Sequence, residues 1–377
     1  MVHLALFRLR FVEQLRWIDA ATFDSLVAIA QIVPGPSSSQ VGFALGVRWQ
    51  GFFGGAAAFL GFTLPSAVIM GALGLGVRSD LLASSLAQSV LHGFLLFALA
   101  CLGYALWSMG NRLGKSATPF LAAASVAAIA LVMGGPLIGV FLLLIGVYGA
   151  SRPKRIDLVP APSNNVSPRR AAFAIAASIC ISASVALTFV PGLAEQLRSN
   201  VVLMVAVAHF QAGALVFGGG HVVMPLLKGF IVSPGVVDPV TFAIGYGAAQ
   251  AIPGPMFTLA AFLGAAAAPG SWAIGSAVLS LLAIFLPGLT FILAAQGAVE
   301  ALAKRSWFGG VIEMLNAGVL GLLAAALIQL GMSLHLHYAD ALVLLVAVAT
   351  IQRSPRGSLW ACCACVVYAV ARVLTCS

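Results

Sequence analysis

The sequence predicts an all-α, polytopic membrane protein built of two homologous helical bundles, with helices broken or re-entrant at P-G-P motifs. Three observations carry this. Charged residues are 8% of the 377, against 61% hydrophobic residues and a mean hydropathy of +1.07. The chain is a succession of apolar runs with short polar joints. Two of those runs, one in each half, are interrupted by the same P-G-P motif.

A soluble domain carries about 25% charged residues, so a water-facing enzyme is excluded, and a chain this apolar is not disordered. The net charge of +9 gives no dense basic face for nucleic acid. In a membrane protein a basic excess reports orientation. A span needs about 20 apolar residues, so the length admits roughly ten. No cleavable signal peptide is evident before Arg8. Cys101 and Cys180 read as small core residues. Cys362, Cys363 and Cys365 cluster in an apolar run without a nearby His or acid, which is not a zinc or haem spacing.

Apolar runs fall at about 22–47, 52–77, 84–108, 117–133 and 136–150, and resume at 171–190, 201–227, 240–268, 271–298, 311–334, 340–351 and 359–374. Between them lies SRPKRIDLVPAPSNNVSPRR, rich in Arg, Lys and Pro. It reads as a cytoplasmic linker by the positive-inside rule. The expected organisation is therefore an N-terminal repeat (1–150), a basic linker (151–170) and a C-terminal repeat (171–377).

The repeat is visible residue by residue. At an offset of 219, Asp19, Thr22, Phe23, Ala30, Gln31, Pro34, Gly35 and Pro36 match Asp238, Thr241, Phe242, Ala249, Gln250, Pro253, Gly254 and Pro255. Phe11 matches Phe230, and a later run in each half carries a proline, Pro65 and Pro287. A long internal repeat in a membrane protein points to a transporter of two related bundles.

Two prolines around a glycine cannot continue a helix, because proline lacks an N–H and clashes with the carbonyl four residues back. Orphaned backbone groups in lipid cost several kcal/mol, so such a break must be buried in protein or line a wet cavity. The half-helix starting after Pro36 then offers free N–H groups and a positive dipole end to an anion. Ser37, Ser38, Ser39 and Gln40 add side-chain donors there; Met256, Phe257 and Thr258 of the second copy are mostly apolar. A kink that only shapes the bundle is the competing reading. The segment Phe217-Gly218-Gly219-Gly220-His221 has two readings as well. Its glycines suit either a close backbone approach to an oxyanion, with His221 carrying a proton, or tight helix packing.

Arg8, Arg10 and Lys228 are candidate charge-compensating groups. Asp19 and Asp238 stand in register; each reads as a helix N-cap or as a proton-coupling carboxylate. His92 and His209 read as core residues, and Glu313 opens an otherwise apolar run. No H-E-x-x-H, acidic metal cluster or nucleotide loop is present, which argues against an intramembrane enzyme and against a primary pump. A secondary transporter and a passive anion pore remain.

Taken together, R-W-I-D at Arg16–Asp19, Q-I-V-P-G-P-S-S-S-Q-V-G at Gln31–Gly42, G-F-T-L-P-S-A at Gly61–Ala67, F-G-G-G-H-V-V-M-P-L-L at Phe217–Leu227 and Q-A-I-P-G-P at Gln250–Pro255 resemble the chromate ion transporter family. The resemblance covers nearly the whole chain. It implies a multi-pass protein of the bacterial inner membrane, with two halves in inverted orientation. It also implies proton-driven export of chromate, a dianion shaped like sulfate, giving chromate resistance. No cofactor, metal or nucleic acid is expected; protons and membrane lipid are the other partners, and an oligomer is open. The family's usual first helix with its F-G-G-P motif is missing, His3 and Phe7 resembling the residues just after it, so the resemblance implies an N-terminal repeat (1–150) that lacks its first helix.

Overall fold

The structure is a computed structural model that describes residues 2–77, 85–111, 113, 116–132, 135–154, 176, 199–216, 223–303, 305–333, 336–353 and 357–376. Most of the expected run at 171–190 and most of the linker lie outside these residues.

The described residues form helices and turns. In the first half, α1 (Val2–Phe7) runs into a π turn (Arg8–Gln14). It is followed by α2 (Ala20–Ile32), α3 (Ser37–Gly76), α4 (Ser85–Gly110), α5 (Ala117–Val132) and α6 (Gly135–Ala150). In the second half, α7 (Val201–Leu215) precedes α8 (Val223–Leu227), which also runs into a π turn (Lys228–Val232). Then come α9 (Pro239–Ala251), α10 (Leu259–Ala267), α11 (Ala273–Ala303), α12 (Ser306–Ser333), α13 (Tyr338–Arg353) and α14 (Gly357–Cys376). Four helices among the described residues are long and apolar enough to cross a membrane: Ser37–Gly76, Gln88–Gly110, Gly270–Ala295 and Ser306–Met332. Their outward faces are apolar. Leu60, Leu64 and Val68 on α3 and Ile274, Val278, Leu282 and Leu286 on α11 are all exposed at four-residue spacing, one stripe per helix suited to lipid rather than water.

The backbone repeats with the sequence. Among the described residues, positive φ occurs at Arg16, Gly35, Gly51, Gly235, Gly254 and Gly270. These are three pairs, each 219 residues apart. Arg16/Gly235 turns the chain into α2 or α9, Gly35/Gly254 is the centre of each P-G-P, and Gly51/Gly270 opens each long helix. The last pair explains why α3 is two helices in one: Gln50 and Gly51 have non-helical dihedrals (φ −133°, ψ 25° and φ 65°, ψ −159°).

Those turns fold each P-G-P element into a helical hairpin. The Trp17 and Trp49 rings stack with centroids 4.0 Å apart. Trp17 precedes the first arm and Trp49 ends the second, so the arms return to the side they left. Each arm has about 13 residues, or about 20 Å, too short to cross a bilayer of about 30 Å. In the second half, Gly245 of α9 abuts Phe262 and Leu259 of α10, the pairing expected of antiparallel arms joined at Pro253–Pro255.

The halves are interleaved. The α4 helix of the first half packs on α13 and α14 of the second, while α12 of the second packs on α5 and α6 of the first. Glycines allow the closest approaches, as small residues do in membrane bundles. A Cβ on Gly93 would lie 2.6 Å from Val366 Cα, and Gly321 and Gly310 sit directly on backbone of the first half.

Candidate functional site

Each hairpin tip is seated on the opposite half. A Cβ on Gly35 would lie 2.7 Å from Gly288 Cα, so the first tip touches backbone just after Pro287 of α11. The second tip, Gly254, abuts Ser66, the residue just after Pro65 of α3; a Cβ there would lie 2.5 Å from Ser66 Cβ. The two contacts are equivalent under the repeat, and both place a strained glycine turn beside a small residue that follows an in-helix proline.

Gln40 locks the first contact. It is fully buried, and its Nε2 donates to Pro34 O at 2.8 Å and to Gly288 O at 2.9 Å. The Gly35 N–H donates to Val216 O at 2.8 Å. Val216 is the residue before Phe217, so the first tip is tied to the mouth of the glycine-rich segment; Gly218, Gly219, Gly220 and His221 themselves lie outside the described residues. Two buried polar atoms at this tip, Ser39 Oγ and Gln40 Oε1, have no hydrogen-bond partner among the described residues. Buried polar groups are normally bonded, so each such exception calls for an explanation such as a bound polar species. The Pro36 cap makes no side-chain bond, and the amides of the first turn, Ser37–Ser39, have no intrahelical acceptor.

The other candidate residues are arranged as follows. Ser37 and Ser38 are half-buried, Pro36 is buried and Gln31 is exposed at the end of α2. At the second tip, Gln250 Nε2 approaches Met256 Sδ at 2.7 Å, and Thr258 Oγ1 donates to Pro255 O at 2.9 Å. Pro253 is exposed and Pro255 buried. The second tip therefore closes on itself, whereas the first keeps unbonded acceptor and hydroxyl groups.

The charged candidates differ in availability. Arg8 is paired with Asp24, and Arg10 donates to Gln14 Oε1 at 2.9 Å. Lys228 opens the π turn of the second half, as Arg8 opens that of the first. The position 219 residues after Asp24 is Ala243, so Lys228 lacks the equivalent acid. It forms no ion pair among the described residues, is half-buried, and sits on a turn packed against α7 and α9.

Asp19 and Asp238 are both N-caps. Asp19 accepts from Thr22 N at 2.9 Å and Thr22 Oγ1 at 2.7 Å; Asp238 accepts from Val240 N at 3.0 Å and Thr241 N at 2.8 Å. The Thr22 hydroxyl, then its N–H, hold the Asp19 carboxyl below the usual carboxylate range. Asparagine caps as well as aspartate. An Asp19→Asn, Asp238→Asn double variant should therefore keep both its thermal stability in detergent and any pH-gradient dependence of transport; loss of the gradient dependence would give these carboxylates a proton role.

Sequence reasoning did not single out Gly288 and Ser66. The repeated prolines Pro65 and Pro287 were visible, and the small residue after each was the available signal. Asp340, a fully buried carboxylate in the second half, carries no local sequence signal, because it stands at the start of an apolar run.

Two helical hairpins with reciprocally seated tips, carried by apolar helices long enough to cross a membrane, define a multi-pass membrane protein of transporter type. The chain belongs to the chromate transporter family, whose profile matches residues 1–150 and 203–371; it is a transporter and not an enzyme. It is 26% identical over 324 residues to a chromate transport protein of Pseudomonas aeruginosa, covering 86% of this chain and 74% of the relative. A chromate transport protein of Cupriavidus metallidurans is 24% identical over 348 residues, 90% of this chain and 80% of that one. An uncharacterised transporter of Methanocaldococcus jannaschii is 25% identical over 326 residues, 84% and 77%. No solved structure matches the chain.

Proposed function

We propose that the chain is a proton-coupled secondary transporter that exports chromate across the bacterial inner membrane and so confers resistance, with the dianion held between the two hairpin tips. The observation that carries this reading is the reciprocal seating of Gly35 on Gly288 and of Gly254 on Ser66. It brings both broken-helix ends to the interface of the halves. The first-turn amides after Pro36, Ser39 Oγ and the Ser37 and Ser38 hydroxyls are donors for a tetrahedral oxyanion. Lys228, a half-buried cation, supplies charge that a buried dianion needs.

The reading takes the repeats 1–150 and 171–377 as inverted, joined by the 151–170 linker. Helix directions support it. Gly254 lies against Ser66, and eight residues further along both helices Phe262 lies against Gly74. The second arm of hairpin two thus runs parallel to α3, away from the side where hairpin one opens. Two tips reaching the same depth from opposite sides is the arrangement of alternating-access transporters with inverted repeats.

The test is transport of labelled chromate by purified protein in proteoliposomes. An acid interior should drive accumulation above equilibrium, abolished by a protonophore. Entry that only reaches equilibrium would make the protein a passive anion pore. Saturable uptake of sulfate with none of chromate would reassign the substrate.

A further inference from the structure

Asp340, in the first turn of α13, has no exposed side-chain surface. The His337 N–H donates to its Oδ2 at 2.8 Å and the Tyr368 hydroxyl to its Oδ1 at 2.9 Å. Two basic side chains stand just beyond good hydrogen-bond range. Arg372 Nη1 is 3.4 and 3.3 Å from the two oxygens, and His92 Nε2 is 3.6 Å from Oδ1. Tyr368 and Arg372 belong to α14, but His92 comes from α4 of the first half. His92 Nε2 is buried and makes no hydrogen bond among the described residues.

The repeat shows what is special here. His92 is the eighth residue of α4, and Glu313 is the eighth of α12. Glu313 faces Lys154 at 2.8 Å, beside a Tyr148–Arg152 pair spaced like Tyr368–Arg372. Both halves keep the frame, yet among the described residues only one places an imidazole against a buried carboxylate. Ionisable groups inside a membrane protein mark ion and proton pathways by default.

We propose that His92 and Asp340 form the proton site of the transport cycle. This rests on the proton-coupled reading above. His92 Nε2 accepts the proton on one side of the membrane and releases it on the other; Asp340 stays ionised and stabilises the imidazolium. A protonated His92 competes with Arg372 for the carboxylate. Because α4 rides on α14 through Gly93, at backbone contact distance from Val366, that competition shifts one half against the other. The other titratable groups on the helices packed here are Tyr104 and Cys101 on α4, Cys362, Cys363, Cys365 and Cys376 on α14, Tyr338 and Arg353 on α13, Tyr246 on α9 and Glu313 on α12. Among the described side chains, Asp340's partners are Tyr368, Arg372 and His92.

His92→Gln removes the titrating nitrogen without removing a hydrogen bond made by Nε2; Asp340→Asn is the second variant. Two assays on each purified full-length variant separate the roles. One is accumulation of labelled chromate driven by a pH gradient, and the other is equimolar chromate exchange with no gradient. His92→Gln should lower accumulation at least tenfold and leave exchange within twofold of wild type, and Asp340→Asn should show the same split. Retention of gradient-driven accumulation in His92→Gln overturns the proposal. Equal loss of both assays in folded, monodisperse protein overturns it too, because that is the mark of a structural contact. Absence of chromate exchange in wild type would instead sink the chromate reading, and this proposal with it.

Discussion

A Gly35→Ala substitution is expected to reduce gradient-driven chromate uptake to background. Gly35 has φ +127°, a conformation that costs an L-residue about 1–2 kcal/mol. The added Cβ would also meet Gly288 Cα and Gln40 Nε2, each at 2.7 Å. Overpacking of a close-packed contact costs about 1–3 kcal/mol, and Gly288 has no side chain to move aside. The tip can only retreat from α11, which separates the two halves of the site. Gly254→Ala should be nearly as severe, but its obstacle is the Ser66 side chain. Adding Ser66→Gly should restore part of its activity, whereas no change at Gly288 can rescue Gly35→Ala. Uptake above about half of wild type in Gly35→Ala, at equal protein in the membrane, would refute the seating of the tip.

Gln40→Leu is the second large effect. It keeps the volume and removes two hydrogen bonds, one inside the break at Pro34 O and one that joins the break to the other half at Gly288 O. Losing both costs about 0.5–1.5 kcal/mol per hydrogen bond, so the variant should melt lower in detergent and transport nothing. Ser39→Ala provides the contrast. Ser39 Oγ bonds nothing among the described residues, so its loss should leave stability unchanged. It should raise the KM for chromate by about tenfold, the worth of one hydrogen bond to a charged group. A Gln40→Leu protein with normal melting and normal uptake would mean that the lock is dispensable.

The readable part of this fold was the part written in local chemistry. Proline and glycine at 34–36 and 253–255 break any helix, aspartates three residues before threonines cap one, and a constant offset ties the copies together. Hydropathy alone runs 201–227 as one segment, but the helix stops at Leu215 with Val216 extended, because apolar composition does not mark where a helix ends. It could not tell a kink from a hairpin either; that distinction rests on the Trp17–Trp49 stack, a contact between residues 32 apart. The partners of each tip, Gly288 and Ser66, were hidden for the same reason, since interleaving is a long-range property. Asp340 sits at the boundary of an apolar run, where a charge ordinarily reaches water. It is buried because His92, Tyr368 and Arg372 arrive from distant parts of the chain. Composition makes Arg8 and Lys228 equal cations, and Ala243 in place of an acid equivalent to Asp24 is what separates them.

Whether both tips face the same oxyanion can be read from chromate protection of single cysteines at Ser38→Cys and Met256→Cys, one in the first turn after each break, in a background with the native cysteines replaced. Chromate should slow alkylation at both positions with the same half-saturating concentration. Protection at neither position, or at one alone, would contradict a shared site between the hairpin tips.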